Sequence, residues 1–296
     1  MVVGLHVGGA ETPLWLAWQF HPVLLAGLLV AGWLYARGLR ASIGTRRKLH
    51  PWWRPILYYT SLVMIFVALS SPLDHLTSEL FVAHMAQHLL LMVAPALVLL
   101  SAPFIPVLRG IPRGVRRSIV APVLRHPALR RPLKLLSLPL IAWPLFAVTM
   151  LGWHAPPAYE LALRSDTAHL LEHGAFIGGA LLFWWNVIDA VPLRGNLPYL
   201  ARAPYIFLMT IPNFSLGAFL TFSPKAWYAQ YQTGTLTWGL SALEDQQIGA
   251  LLMWIPGALV LLSALLLVLV YAVLSEERRQ QEREARALIG PRRISH

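Results

Sequence analysis

Apolar residues in this chain come in runs of about twenty, separated by short polar stretches, and the runs show neither the alternation of a strand nor the one-faced stripe of a soluble helix. The runs are Trp15 to Tyr35, Pro55 to Ser70, Thr77 to Ser101, Leu136 to Trp153, Ala168 to Ile188, Ala203 to Phe222 and Gln246 to Leu274. An α-helix needs about 20 residues to cross a hydrocarbon core of roughly 30 Å. The pattern therefore predicts an all-α polytopic membrane protein, a bundle of seven transmembrane helices. Residues 1–275 form the membrane domain, and 276–296, with six arginines, a basic tail that is either helical or disordered. The first run is too long, and lacks the basic flank, for a cleavable signal peptide.

Composition agrees with this reading. Hydrophobic residues make up 57% and charged residues only 12%, against roughly 25% charged in a soluble domain. The net charge of +11 does not point to nucleic acid, because the basic residues sit in the connections between runs. Assigning alternate connections to opposite sides leaves all but Arg164 and Lys225 of the 24 lysines and arginines on one side. By the positive-inside rule the N-terminus lies outside and the C-terminus in the cytoplasm. The longest connection, Ala102 to Leu135, mixes arginines, prolines and apolar residues; a segment lying on the lipid surface and a solvated loop both fit. Cysteine is absent, which excludes disulfides and thiolate metal sites and leaves His, Met and carboxylates as ligands.

Candidate chemistry gathers at the outer ends of the runs. His84 and His88 lie one helical turn apart, with Met92 continuing their stripe, and His169 and His173 repeat the spacing on the fifth run. His154 ends the fourth run beside Trp153, Pro156 and Pro157, where it can equally fix a turn. Glu172 and Asp166 stand where carboxylates orient liganding imidazoles. Asp245, Gln246, Gly249 and Met253 step along the start of the seventh run at the same level, and Met85, Met92 and Met253 bring thioethers near. The expected metal ligands are His84, His88, His154, His169, His173, Asp245, Met85, Met92, Met253 and Glu172. Imidazole with thioether and no thiolate suits Cu(I) or Cu(II), with zinc as second choice. Ionisable groups at membrane depth are costly and mark function.

The blocks HMAQHLLLMVAPALVLLSAP from His84, GWHAPPAYELAL from Gly152, HLLEHGAFIGGALLFWWNVI from His169 and DQQIGALLMWIPG from Asp245 resemble the membrane-embedded cytochrome c oxidase assembly factor family, CtaG of the Bacillus type, which assembles caa3-type oxidases. The resemblance implies a non-enzymatic, multi-pass protein of the bacterial cytoplasmic membrane. It would mature a haem-copper oxidase by delivering copper to the catalytic subunit, the metal coming from a periplasmic donor. The family's histidines would map onto His84, His88, His154, His169 and His173, with Asp245 in the last block. Two other readings remain from the residues: a haem- or metal-dependent membrane redox protein, and a copper transporter built on the helix-breaking prolines and Asn213.

Overall fold

The structure, a computed structural model, describes residues 17–41, 50–190, 192 and 195–289, and among these every regular element is helical. In chain order they are α1 (Pro22–Arg40), α2 (Trp53–Ser70), α3 (Pro72–Leu76), α4 (Phe81–Leu100), α5 (Phe104–Gly110) and α6 (Arg113–Val115). A π-helical turn, Arg116–Val120, leads into α7 (Ala121–Arg125), followed by α8 (Pro127–Leu136), α9 (Pro139–Trp153), α10 (Pro156–Arg164) and α11 (Asp166–Trp185). The chain finishes with α12 (Tyr199–Thr221), α13 (Tyr231–Gly234), a 3-10 turn Thr235–Trp238 and α14 (Ala242–Ile289).

Five helices, α1, α2, α4, α12 and α14, are long and apolar enough to cross a membrane, and α8 with α9, bent by 75°, makes up to six. α11, at 20 residues, is not among them, because Asp166, His169, Glu172 and His173 fill its first half. Proline sets several starts. The first helix begins at Pro22 rather than at Trp15, because His21, before a proline, is held extended (φ −83°, ψ 109°) and Pro22 takes the first helical position. Trp15 and Leu16 lie outside the described residues. Pro139 likewise opens α9, whereas Pro144 is accommodated inside it. At the far end α14 runs on to Ile289, so the basic tail continues the helix through that residue; residues 290–296 lie outside the described set.

α4 is the axis of the bundle. In its most apolar window 56% of residues are buried, against 11–33% in the other four candidate spans, and it packs on α2, α3, α11 and α14. Helices in lipid gain little from hydrophobic transfer and associate through close packing and polar contacts. Both operate at α4. Gly249 of α14 faces Phe81 so closely that a Cβ would stand 2.5 Å from its ring. No side chain at the N-cap, Leu80, serves the first turn of α4, and Asp245 of α14 serves it instead, accepting from the N–H of Phe81 (2.6 Å) and of Val82 (3.0 Å). An acid at a helix N-terminus satisfies otherwise unpaired donors and complements the helix dipole.

Two apolar clusters surround this axis. One holds Leu99, Phe146, Phe183, Ile206 and Met209; the other holds Phe81, Met85, Tyr159, Phe176, Tyr228 and Met253, with Met92 packed against both. α5, whose Phe104 packs against the first cluster, presses on α1 at Gly38 and Gly110, whose missing side chains admit the backbones of Pro106 and Leu34. The arginine-rich connection thus folds as short helices anchored on α1 through α5.

Candidate metal centre

His84 and His88 of α4 face α11, and that helix turns His169, Glu172 and His173 back toward them. One ligand atom from each of His84, His169, Glu172 and His173 lies within 4.8 Å of the others. His88 adjoins the group: its Nε2 is 2.8 Å from Nε2 of His84 and 3.5 Å from Oε1 of Glu172, while His84 Nε2 is 3.5 Å from Oε2. His84, His88 and Glu172 are wholly buried and His173 nearly so; His169 is half-buried. Both i, i+4 pairs therefore point inward, one from each helix, with a carboxylate between them.

The surrounding hydrogen bonds decide which nitrogens keep a lone pair. Tyr231 gives its single hydroxyl proton to the Thr77 carbonyl (2.8 Å), so its oxygen accepts from Tyr159 (2.8 Å) and from Nδ1–H of His84 (3.3 Å). His84 Nε2 then carries an unprotonated lone pair, 2.8 Å from Nε2 of His88. Burial pushes the pKa of the Tyr159 and Tyr231 hydroxyls well above the ordinary tyrosine value, so both remain protonated. Gln87 spends its amide protons on the Ala68 carbonyl (2.7 Å) and Asp74 (2.6 Å), so its oxygen accepts from Nε2–H of His173 (3.0 Å) and leaves Nδ1 of that ring unprotonated. His88 has both tautomers open: Nε2–H donating to His84, or Nδ1–H with Nε2 as a further ligand. Such outer bonds are what fix liganding imidazoles in metal sites.

The remaining expected ligands separate. His154 is buried at the end of α9, its ring 5.8 Å from that of His88, and its Nε2 meets Sδ of buried Met85 at 3.3 Å. Met92 and Met253 line a different cavity deeper in the bundle. Asp245, bonded to the amides of Phe81 and Val82, ties two helix starts together and stands apart from the His–Glu group. Asp166 is exposed. Gln87, Tyr159 and Tyr231 go unread in the sequence. Gln87 had a signal, a lone amide between two histidines in an apolar helix; the tyrosines, in aperiodic links, had none.

The donor set fits a transition-metal cation. Both oxygens of Glu172, Nδ1 of His88 and Nε2 of His169 are buried without a hydrogen-bond partner. An anionic carboxylate in that state is costly. A cation between the imidazole lone pairs would offset its charge, and ligand nitrogens on one metal with bonds of about 2.0–2.1 Å stand roughly 3 Å apart, close to the separation of His84 and His88. Three or four imidazoles with one carboxylate suit copper or zinc, whereas magnesium or calcium would require mostly oxygens.

The family described as cytochrome c oxidase caa3 assembly factor matches residues 33–274. An uncharacterized protein of Mycobacterium leprae is 26% identical over 286 residues, covering 90% of this chain and 40% of the relative. Uncharacterized proteins of Mycobacterium bovis and Mycobacterium tuberculosis are each 27% identical over 253 residues, covering 80% of this chain and 36% of their own length. The chain thus spans about two fifths of these relatives. No solved structure matches it.

Proposed function

Because the chain belongs to the cytochrome c oxidase caa3 assembly factor family, we propose that it binds copper at the His84–His88–His169–Glu172–His173 centre and delivers it to the catalytic subunit of a haem-copper oxidase. The observation that carries this reading is Glu172, a buried carboxylate with no hydrogen bond to either oxygen, faced by imidazoles whose lone pairs are set by their outer partners. The residues bind and orient a cargo; nothing in the reading requires them to transform it, so the role is non-enzymatic.

The setting is the bacterial cytoplasmic membrane. α11 supplies a seventh crossing, its polar half shielded by α4, α9 and α10, and the His–Glu centre then lies near the periplasmic face, where a copper donor can reach it. His154 and Met85 stand beside it as an imidazole–thioether pair, with 3.3 Å between Nε2 and Sδ. Copper is the preferred metal over zinc because thioether accompanies imidazole.

The test is metal analysis of the purified chain with oxidase assembly in cells. Wild-type protein is expected to carry close to one copper with nitrogen neighbours. Replacing both His84 and His88 by Ala should remove that nitrogen-bound copper and leave the oxidase without its copper centre while the subunit is still made. Nitrogen-bound copper retained at the wild-type level in the double variant would sink the reading.

A further inference from the structure

Beneath the His–Glu centre lies a cavity of about 50 Å³ bordered by Met92 of α4, Met150 of α9, Met209 of α12 and Met253 of α14. These are four of the chain's seven methionines. Met150, Met209 and Met253 are at most 3% exposed. No ionisable side chain borders the space. Of the two helices that carry the centre, α4 also carries a thioether, Met92, one turn below His88; on α9, Met150 lies one turn before His154. Methionine is the usual gap-filler of apolar cores, so the clustering needs a second observation to mean more.

Met85 and His154 supply it. His154 Nδ1 lies 2.6 Å from the Met150 carbonyl, which only accepts, so Nδ1 bears the proton. Nε2 then presents a lone pair to Sδ of Met85 at 3.3 Å, and a thioether has no proton to offer. Two buried electron-pair donors face each other, which a soft cation held by both would reconcile. Met85 belongs to the His-bearing turn of α4, and His154 is bonded to the backbone of Met150. The pair therefore bridges the two levels.

We propose that the Met92–Met150–Met209–Met253 cavity is a thioether site for Cu(I), loaded from the His–Glu centre past Met85 and His154. It rests on the copper reading above and extends it: the cargo waits inside the bilayer as Cu(I), and no electron transfer is involved. Neutral thioethers in a cavity without fixed charge favour a soft monovalent ion over Cu(II) or Zn(II).

The experiment is an anaerobic titration of the purified full chain with Cu(I), and with Ag(I) as a redox-silent probe, read by metal stoichiometry and X-ray absorption. Wild type is expected to take two equivalents, one with nitrogen neighbours and one with more than one sulfur. The combined Met92→Leu, Met150→Leu, Met209→Leu, Met253→Leu variant conserves volume and should keep the nitrogen-bound equivalent while losing the sulfur-bound one. Met209→Leu and Met253→Leu singly, each close to volume-conserving, should each weaken Ag(I) binding at least tenfold. The proposal is overturned if wild type shows no multi-sulfur site, or if the single variants bind Ag(I) as wild type does. Absence of the nitrogen-bound equivalent alone would instead strike the His–Glu reading, and a sulfur-bound Ag(I) retained after His84→Ala and His88→Ala would support the thioether site by itself.

Discussion

Glu172 has no hydrogen bond to either oxygen in the interior of a helical bundle. A charge left so is destabilising until a cation joins it, which separates stability from binding. Glu172→Gln is expected to raise the unfolding temperature of metal-free protein by a few degrees, corresponding to roughly 1–3 kcal/mol of relieved desolvation, while lowering copper affinity. Thermal unfolding with and without copper reads both. At Tyr231 the effect is on orientation: Tyr231→Phe removes the acceptor for His84 Nδ1–H and should weaken copper about 10–100-fold, as loss of an outer-shell partner does. A competition titration reads the affinity, and an unchanged unfolding temperature would show that the fold survives. That His84, His88, His169 and His173 gather was legible from their two i, i+4 spacings, because helical period maps directly onto a face. Tyr231 and Tyr159 were not, because nothing periodic links position 231 to position 84.

Among the elements, the tie between α14 and α4 had a sequence signal that pointed elsewhere. An acid at the start of an apolar helix looks like a ligand when the imidazoles are at its level, and only the structure shows Asp245 bonded to the amides of Phe81 and Val82. Asp245→Asn retains an acceptor for one amide at most and should cost about 1 kcal/mol, the usual scale of a lost cap. Hydrogen–deuterium exchange should quicken at those two amides while the centre of α4 keeps its protection. The start of α9 was legible to within a turn, Leu136 against Pro139, whereas that of α1 was read at Trp15, seven residues before Pro22, because the restriction a proline puts on the residue before it went uncounted. The end of α14 was not legible, since hydropathy stops near Leu274 whereas helix propensity does not: the Glu-, Arg- and Gln-rich stretch that follows favours helix as strongly as the apolar one.

For the whole molecule, absence of cysteine makes topology directly measurable. Single cysteines at Thr167 and Thr233 should react with a membrane-impermeant maleimide added outside intact cells, and those at Ser118 and Asn196 only after the membrane is opened. Thr167 and Asn196 on the same side would remove α11 as a crossing. The helical class and the crowding of histidine at one level were legible because apolar length and charge asymmetry are global properties of the chain. α11 is the marginal case: the run Ala168 to Ile188 reads as a span in the sequence, yet the polar first half of the helix keeps it out of those apolar enough to cross a membrane.

α14 spans 48 residues, a rod of about 72 Å at 1.5 Å per residue, more than twice the hydrocarbon thickness. Its first turn holds Asp245, and its length exceeds what a hydrocarbon core accommodates upright. A continuous helix, Pro256 included, is a lever. Pivoting it by about 5° around its middle swings each end roughly 3 Å, as much as the length of the bonds Asp245 makes. A tilt applied at the arginine-bearing end would thus be felt at Asp245 and its two bonds to the first turn of α4.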